Sequence, residues 1–350
     1  MSSAFRVVSR KDLGAAAWDA FVDASDNAWL WHRYDLQEAH NTWRGSADES
    51  FVVMAPTGDA VLALVPLRRV TRRAAGLWPV NVLDSFGGPA LVNGQTRRQS
   101  RDILTAVRHE IGGRAAGGLC LEARLSMHAM APALRGESCP RVNPLLGLGC
   151  DNTLTQTWVV DLRGGRDALW SAMEGRARTA IRKAEKAGVT VRAAGARDLD
   201  IYYRLHRDTY RRTGAEPLPE AYFRMIWDRF VAKGLARVWI AEIDGEPLAA
   251  ENFGIYKKAA IYWSGASSER GLETEANSLL QWTAMEWMLN NAVAWYEAGE
   301  AFPSFDAGKQ KGLNDFKKSF GGELYPYYKG RLPSQTVWQK LYRGLAEVRR

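Results

Sequence analysis

Over 176–187 five cations fall between small apolar residues: Arg176, Arg178, Arg182, Lys183 and Lys186 interleave with Ala177, Ala180, Ile181 and Ala184, opposed only by Glu185. Far downstream a second basic pair, Lys317 and Lys318, sits between Phe316 and the run Ser319, Phe320, Gly321. Guanidinium groups suit bidentate contact with phosphate, and a fixed ammonium can stabilise the oxyanion formed when an amine attacks an acyl carbon. Together the two segments fit a site for a large anionic substrate. The first reads equally as the solvated face of a helix, and the second as an exposed lysine pair, because lysine is seldom buried. Glu251 and Asn252 are adjacent polar residues in an otherwise apolar strand pattern. Only one of them can face a cleft, because strand side chains alternate, and a hydrogen bond across the sheet is the simpler reading for either.

Other chemistries find less support. Cys120, Cys139 and Cys150 are odd in number and form no close pair, so neither a disulfide framework nor a zinc knuckle is expected, and a reducing cytoplasm fits best. The five histidines make no H-x-x-x-H pair; His109-Glu110 lacks the second histidine of a zincin, and no metal is expected. The start of the chain has no apolar leader core, and no stretch reaches 18 uncharged apolar residues. The protein is expected to be soluble, or at most peripheral to a membrane.

The whole composition is that of a globular protein, with 46% hydrophobic and 25% charged residues over 350 positions. That length suggests two cores. We expect domains over 1–150 and 151–325, with a tail over 326–350 that packs back on the first. A net charge of +8 and a sequence pI near 9.4 favour polyanions such as RNA, nucleotide-linked sugars or an anionic membrane surface; DNA is not expected. The 14 tryptophans read chiefly as core, since Trp170, Trp282 and Trp287 lie within helical apolar patterns, although aromatic residues among basic ones can also stack bases.

The elements that must position the candidate residues follow from periodicity. Leu169, Met173, Ala177, Ile181 and Ala184 recur at helical spacing without a proline, which predicts one helix over 166–187 stopped by Gly188. Helices over 198–213 and 219–233 follow. Strands over 236–243 and 247–256 are joined by a tight turn at Asp244-Gly245, and a third runs over 259–264. A long helix over 274–294, apolar nearly all round, should be buried. A strand over 302–306 then leads to a turn that carries Lys317. In the first half, a helix over 15–24, two strands within 48–67, a helix over 95–111 and a strand over 118–123 precede an irregular crossing over 135–152.

The order of these parts, with Phe305-Asp306-Ala307-Gly308 leading into Phe316-Lys317-Lys318-Ser319-Phe320-Gly321, resembles the FemABX family. Trp18-Asp19-Ala20-Phe21-Val22, Leu64-Val65-Pro66-Leu67 and Phe86-Gly87-Gly88-Pro89 carry the likeness through the first half, so it spans roughly 12–330. The resemblance implies an α/β (α+β) fold of two tandem GNAT (acyl-CoA N-acyltransferase-like) domains, mixed sheets flanked by helices. It also implies transfer of an amino acid from aminoacyl-tRNA to an amine of a peptide or peptidoglycan precursor, without a bound cofactor. Related proteins are presumed to acylate amino sugars from acyl-CoA. A CoA-dependent domain usually cradles pyrophosphate on a Q/R-x-x-G-x-G/A loop, and every start of that pattern here fails at its last position. An RNA-binding protein on a decayed GNAT scaffold is the non-enzymatic alternative.

By the same resemblance Lys317 matches the family's Phe-Lys motif and would stabilise the oxyanion or hold a donor phosphate. Phe316 would pack beside the acyl ester, and Asp306 would orient or deprotonate the acceptor amine. Arg182, Lys183 and Arg176 would contact an acceptor diphosphate or the tRNA backbone. Tyr262 and Trp263 would line the acceptor channel, and Glu251 would bind substrate if it is the member of its pair that faces the cleft. The sequence departs from the family in two places. No long heptad arm follows the helix at 198, and Trp31-His32-Arg33-Tyr34 offers an arginine where a diphosphate-binding lysine is expected.

Overall fold

The computed structural model describes residues 5–41, 46–74, 78–153, 155–302 and 308–334. The chain divides into two compact units, Met1–Thr155 with Tyr327–Arg350, and Gln156–Pro326.

The first unit starts with β1 (Arg6–Ser9), α1 (Arg10–Leu13), α2 (Ala15–Ala24) and α3 (Tyr34–Asn41). Then come β2 (Ser46–Asp48), β3 (Phe51–Met54), β4 (Val61–Val65), β5 (Arg68–Ala74), β6 (Trp78–Phe86), β7 (Ala90–Leu91), α4 (Arg97–Gly117) and β8 (Cys120–Met127). Helix α4 opens on a capping box, in which Thr96 Oγ1 accepts from Gln99 N and Gln99 Oε1 accepts from Thr96 N at 2.9 Å. It buries Ile103, Val107 and Ile111.

The second unit runs β9 (Gln156–Asp161), α5 (Arg166–Ala172), α6 (Gly175–Lys186), β10 (Thr190–Ala193), α7 (Leu199–Thr213), α8 (Glu220–Ile226), β11 (Ala236–Ile243), β12 (Glu246–Tyr256) and β13 (Ala259–Ser267). It closes with α9 (Glu269–Glu273), α10 (Ala276–Asn290), β14 (Trp295–Ala301), α11 (Gly308–Lys318) and β15 (Glu323–Pro326). After it, β16 (Tyr328–Pro333) returns to the first unit and pairs antiparallel with β8. The first unit thus holds a four-stranded sheet, β1-β3-β4-β7, and a five-stranded one, β16-β8-β6-β5-β2. Residues 335–350, the rest of the predicted tail, lie outside the described residues.

The second unit has one seven-stranded sheet ordered β10-β11-β12-β13-β14-β9-β15. All its neighbours are antiparallel except β13 and β14, and these pair only at Ala259↔Trp295, Ala260↔Tyr296 and Ile261↔Glu297. Beyond that point no ladder joins them, so the two central strands part. The cause is local: β14 carries an irregularity between Glu297 and Gly299 against β9, and Gly299 has φ +107°, a conformation that favours glycine. Helix α10 supplies the core on one face, burying Leu280, Trp282, Ala284, Met285 and Met288 against Phe253 and Tyr296 of the sheet.

Several elements differ from the sequence pattern. Met173 and Glu174 divide the predicted helix over 166–187 into α5 and α6. Both residues are extended, and Glu174 N donates to Ser319 O at 2.9 Å, a tertiary bond that periodicity cannot show. Lys317 stands in the last turn of α11 rather than in a turn outside a helix. The predicted 219–233 helix becomes α8 followed by a π-helical turn over Trp227–Val231. The strand expected at 302–306 lies almost wholly outside the described residues, and a strand that the pattern did not show, β14, precedes it from Trp295. Its Glu297, Gly299 and Glu300 obscure a strand pattern, and the apolar run of α10 leads straight into it. The arginine-rich β5 and its partner β6 likewise escaped the pattern. Residues 303–307 are outside the described ones, and Asp306 with them.

Candidate active site

Where β13 and β14 separate, two groups of polar residues approach the α10 face of the sheet. The first comes from α11. Lys317 is half-buried, and its Nζ donates to Glu300 O at 2.7 Å while lying 5.0 Å from the centre of the Phe302 ring. A Cβ added at Gly299 would come within 3.2 Å of that Nζ, so the glycine leaves the ammonium its place. Burial lowers the Lys317 pKa from its ordinary 10.5, and Glu300 and Glu297 partly restore it. One of three ammonium donors is spent on the carbonyl, leaving two for a ligand. Phe316 packs against Phe320, ring centres 5.1 Å apart, at the edge of the core cluster.

Close packing fixes this turn. Gly321 has φ +85°, and a Cβ there would meet the Ala172 carbonyl carbon and oxygen at 3.0 Å. The end of α11 therefore rests on the end of α5. Arg176 extends the junction, donating to Asp315 O and pairing with Glu174 at 2.8 Å. Of the predicted anion-binding residues, Arg176 is thus tied to α11, whereas Lys183 lies 3.8 Å from Glu275 at the start of α10. Arg182 is exposed and stacks over Trp170 at 5.4 Å, with no carboxylate paired to it among the described residues. Arg178 instead caps carbonyls at the end of α5, donating to Trp170 O at 3.1 Å.

The second group surrounds Glu251. Its carboxylate is fully buried and accepts from Gln281 Nε2 at 2.8 Å and Asn277 Nδ2 at 3.3 Å, while Tyr296 donates to Gln281 Oε1. Its bonds therefore run to α10, not across the sheet as the sequence reading preferred. Burial pushes the Glu251 pKa well above 4.5, only partly opposed by the two amides. Tyr262, also driven up by burial, packs against Phe253 at 5.8 Å. Asn252, paired with Ser264, points the opposite way, where Tyr202 of α7 bonds Ser264 Oγ at 2.6 Å. Neither polar atom of the buried Asn252 amide finds a partner among the described residues. Sequence reasoning missed Asn277, Gln281 and Tyr296; the available signal was Asn277 and Gln281, four residues apart in an otherwise apolar helix.

Comparison with known proteins agrees with this architecture. A model of the acetyltransferase (GNAT) domain matches residues 171–318. The solved structure of FemX aligns over 97% of this chain and 99% of its own, with TM-score 0.70 at 16% identity. A tandem GNAT protein from the clavulanic acid biosynthesis pathway aligns over 95% and 99%, with TM-score 0.57 at 13% identity. L-PGS from Bacillus licheniformis aligns over 82% and 85%, with TM-score 0.51 at 12% identity. No curated protein sequence matches. The chain therefore has a FemABX-like tandem GNAT fold, and the parted strands with Lys317 belong to its second GNAT unit.

Proposed function

We propose that the protein is an aminoacyltransferase that moves an amino acid from aminoacyl-tRNA to an amine on a peptide or cell-wall precursor. The observation that carries the acyl-transfer reading is the Lys317 ammonium, held beside the parting of β13 and β14 with two donors to spare. The acceptor nitrogen lone pair forms the new C–N bond, and the carbonyl π electrons move onto oxygen, where Lys317 stabilises the charge. Collapse of this adduct breaks the ester C–O bond, and the ribose oxygen leaves with the proton that the nitrogen gives up. Phe316 forms an apolar wall near the acyl group.

Electrostatics favour tRNA over CoA as donor. Glu269 and Glu273 lie at the two ends of α9, the helix that follows β13, and Glu275 stands at the start of α10. A pyrophosphate at the start of α9 would meet Glu269, and one at the start of α10 would meet Glu275, which Lys183 partly offsets. Exposed Arg182 and Lys186 on α6 offer phosphate contacts for a polynucleotide instead. FemX and L-PGS, among the structures that share this fold, are consistent with the reading.

The test is transfer of labelled amino acids from a pool of charged tRNAs to candidate amines, with acyl-CoA donors in parallel. Ribonuclease-sensitive transfer that Lys317→Ala lowers by about 100-fold supports the proposal. Transfer from acyl-CoA alone would replace the donor, and tight RNA binding with no turnover would favour a binding protein.

A further inference from the structure

Glu251 is a buried carboxyl whose partners among the described residues are two amides, with no cation paired to it there. An unpaired carboxylate in such a place is costly, so burial favours the neutral form until a counter-charge arrives. Asn277 Oδ1, buried and without a partner among the described residues, belongs to the same amide that meets Glu251 and is the acceptor at hand for the proton of the neutral form.

One ring lies beside this carboxyl. The β12–β13 ladder shifts between Asn252 and Phe253, so that Phe253 pairs with Tyr262 and Asn252 with Ser264, leaving Trp263 as the extra residue. This bulge brings Tyr262 and Gly265, three residues apart, to the same face of the sheet, and Gly265 is the cross-strand neighbour of Glu251. A Cβ on Gly265 would lie 1.9 Å from the Tyr262 hydroxyl and 2.9 Å from ring carbon Cζ. The phenol therefore fills the room that the glycine leaves, lying beside Glu251. Tyr262 is also the first residue of β13 past its last pair with β14, it is half-buried, and its hydroxyl makes no hydrogen bond among the described residues.

We propose that Glu251 and Tyr262 form the subsite for the ammonium group of the transferred amino acid. The proposal rests on the aminoacyl-donor reading and supplies its selectivity. As the donor enters, the phenol swings off Gly265, its oxygen accepts one ammonium N–H, and the Glu251 carboxyl gives its proton to solvent and accepts another. A plain acyl chain, or an amino acid whose nitrogen is acylated, brings no positive charge and leaves the carboxyl unpaired. The subsite thus separates aminoacyl from acyl donors.

The probes are a 3′-aminoacylamino-3′-deoxyadenosine, whose amide linkage cannot be transferred, and its N-acetyl form. Wild-type protein should bind the free amine about 100-fold more tightly than the acetylated compound. Glu251→Gln should bring that ratio close to one with the thermal midpoint retained, because the new amide can donate to Asn277 Oδ1. Tyr262→Phe, at a half-buried position that tolerates the change, should lower the ratio about tenfold. Equal binding of the two probes by wild type, or a ratio that neither substitution alters, overturns the subsite. Transfer by wild type from acyl-CoA and not from charged tRNA overturns the donor reading instead, while the probe ratio still decides the subsite.

Discussion

At the scale of single residues, the role proposed for Lys317 rests on its charge, which burial makes easier to lose. Burial holds its pKa below 10.5. In the proposed reaction the protonated form stabilises the oxyanion, so transfer should fall on the alkaline side before free lysine would lose its proton. The acceptor amine works in the opposite direction, gaining reactivity as it deprotonates, and the two effects give a bell-shaped profile. In Lys317→Arg the guanidinium stays protonated, so the alkaline limb should move upward even where the peak rate is lower. A pH–rate profile of both proteins checks this; coincident alkaline limbs would remove Lys317 from the reacting centre. The motif that singled out Lys317 was legible in the sequence. Its hydrogen bond to Glu300 O and its nearness to Gly299 were not, because both depend on β14, whose pattern the sequence obscured.

At the scale of elements, the site depends on how α11 ends. Gly321 brings that end against α5, where an added side chain would press on the Ala172 carbonyl group, which is backbone, and on the Ala172 Cβ. Gly321→Ala should destabilise the protein by about 2 kcal/mol, combining an unfavourable positive φ with a clash that cannot be relieved by turning a side chain. Thermal unfolding measures the loss, and an unchanged midpoint would mean that the α11 end is free to move. The break between α5 and α6 has the same origin. Leu169, Met173 and Ala177 keep helical spacing across it, yet Glu174 N is committed to Ser319 O. The helix over 199–213, the hairpin at 236–256 and the buried helix at 276–290 followed from periodicity, since each buries its own apolar set. The bulge at Trp263 left no comparable trace, although it decides which residues share a face with Glu251.

At the scale of the whole molecule, net charge sets the terms of polyanion binding. A protein of +8 with exposed Arg182 and Lys186 should bind uncharged tRNA with an affinity that falls steeply as salt rises. Replacing both residues with glutamine should weaken binding alike for different tRNAs and reduce the log–log salt slope by about 2. Filter binding across a salt series measures it, and an unchanged slope would take α6 out of the RNA contact. The chain also returns after the second unit to add β16 beside β8, an antiparallel strand of six residues that joins sequence-distant segments.

Spacing in the sequence determined that the basic run is helical, and the order of its short motifs, through the family resemblance, pointed to two tandem GNAT-like halves and to Phe316-Lys317 as the pair to examine. Spacing and motif order are local matters, which short stretches of chain encode. Only the tertiary structure decided that β13 and β14 part after three residue pairs, that Glu251 bonds to α10 rather than across the sheet, and that Tyr262 lies over Gly265. Those outcomes depend on a bulge, a positive φ at Gly299 and an unpaired buried carboxyl. Each is set by which distant residues come into contact, and no periodicity along the chain records that.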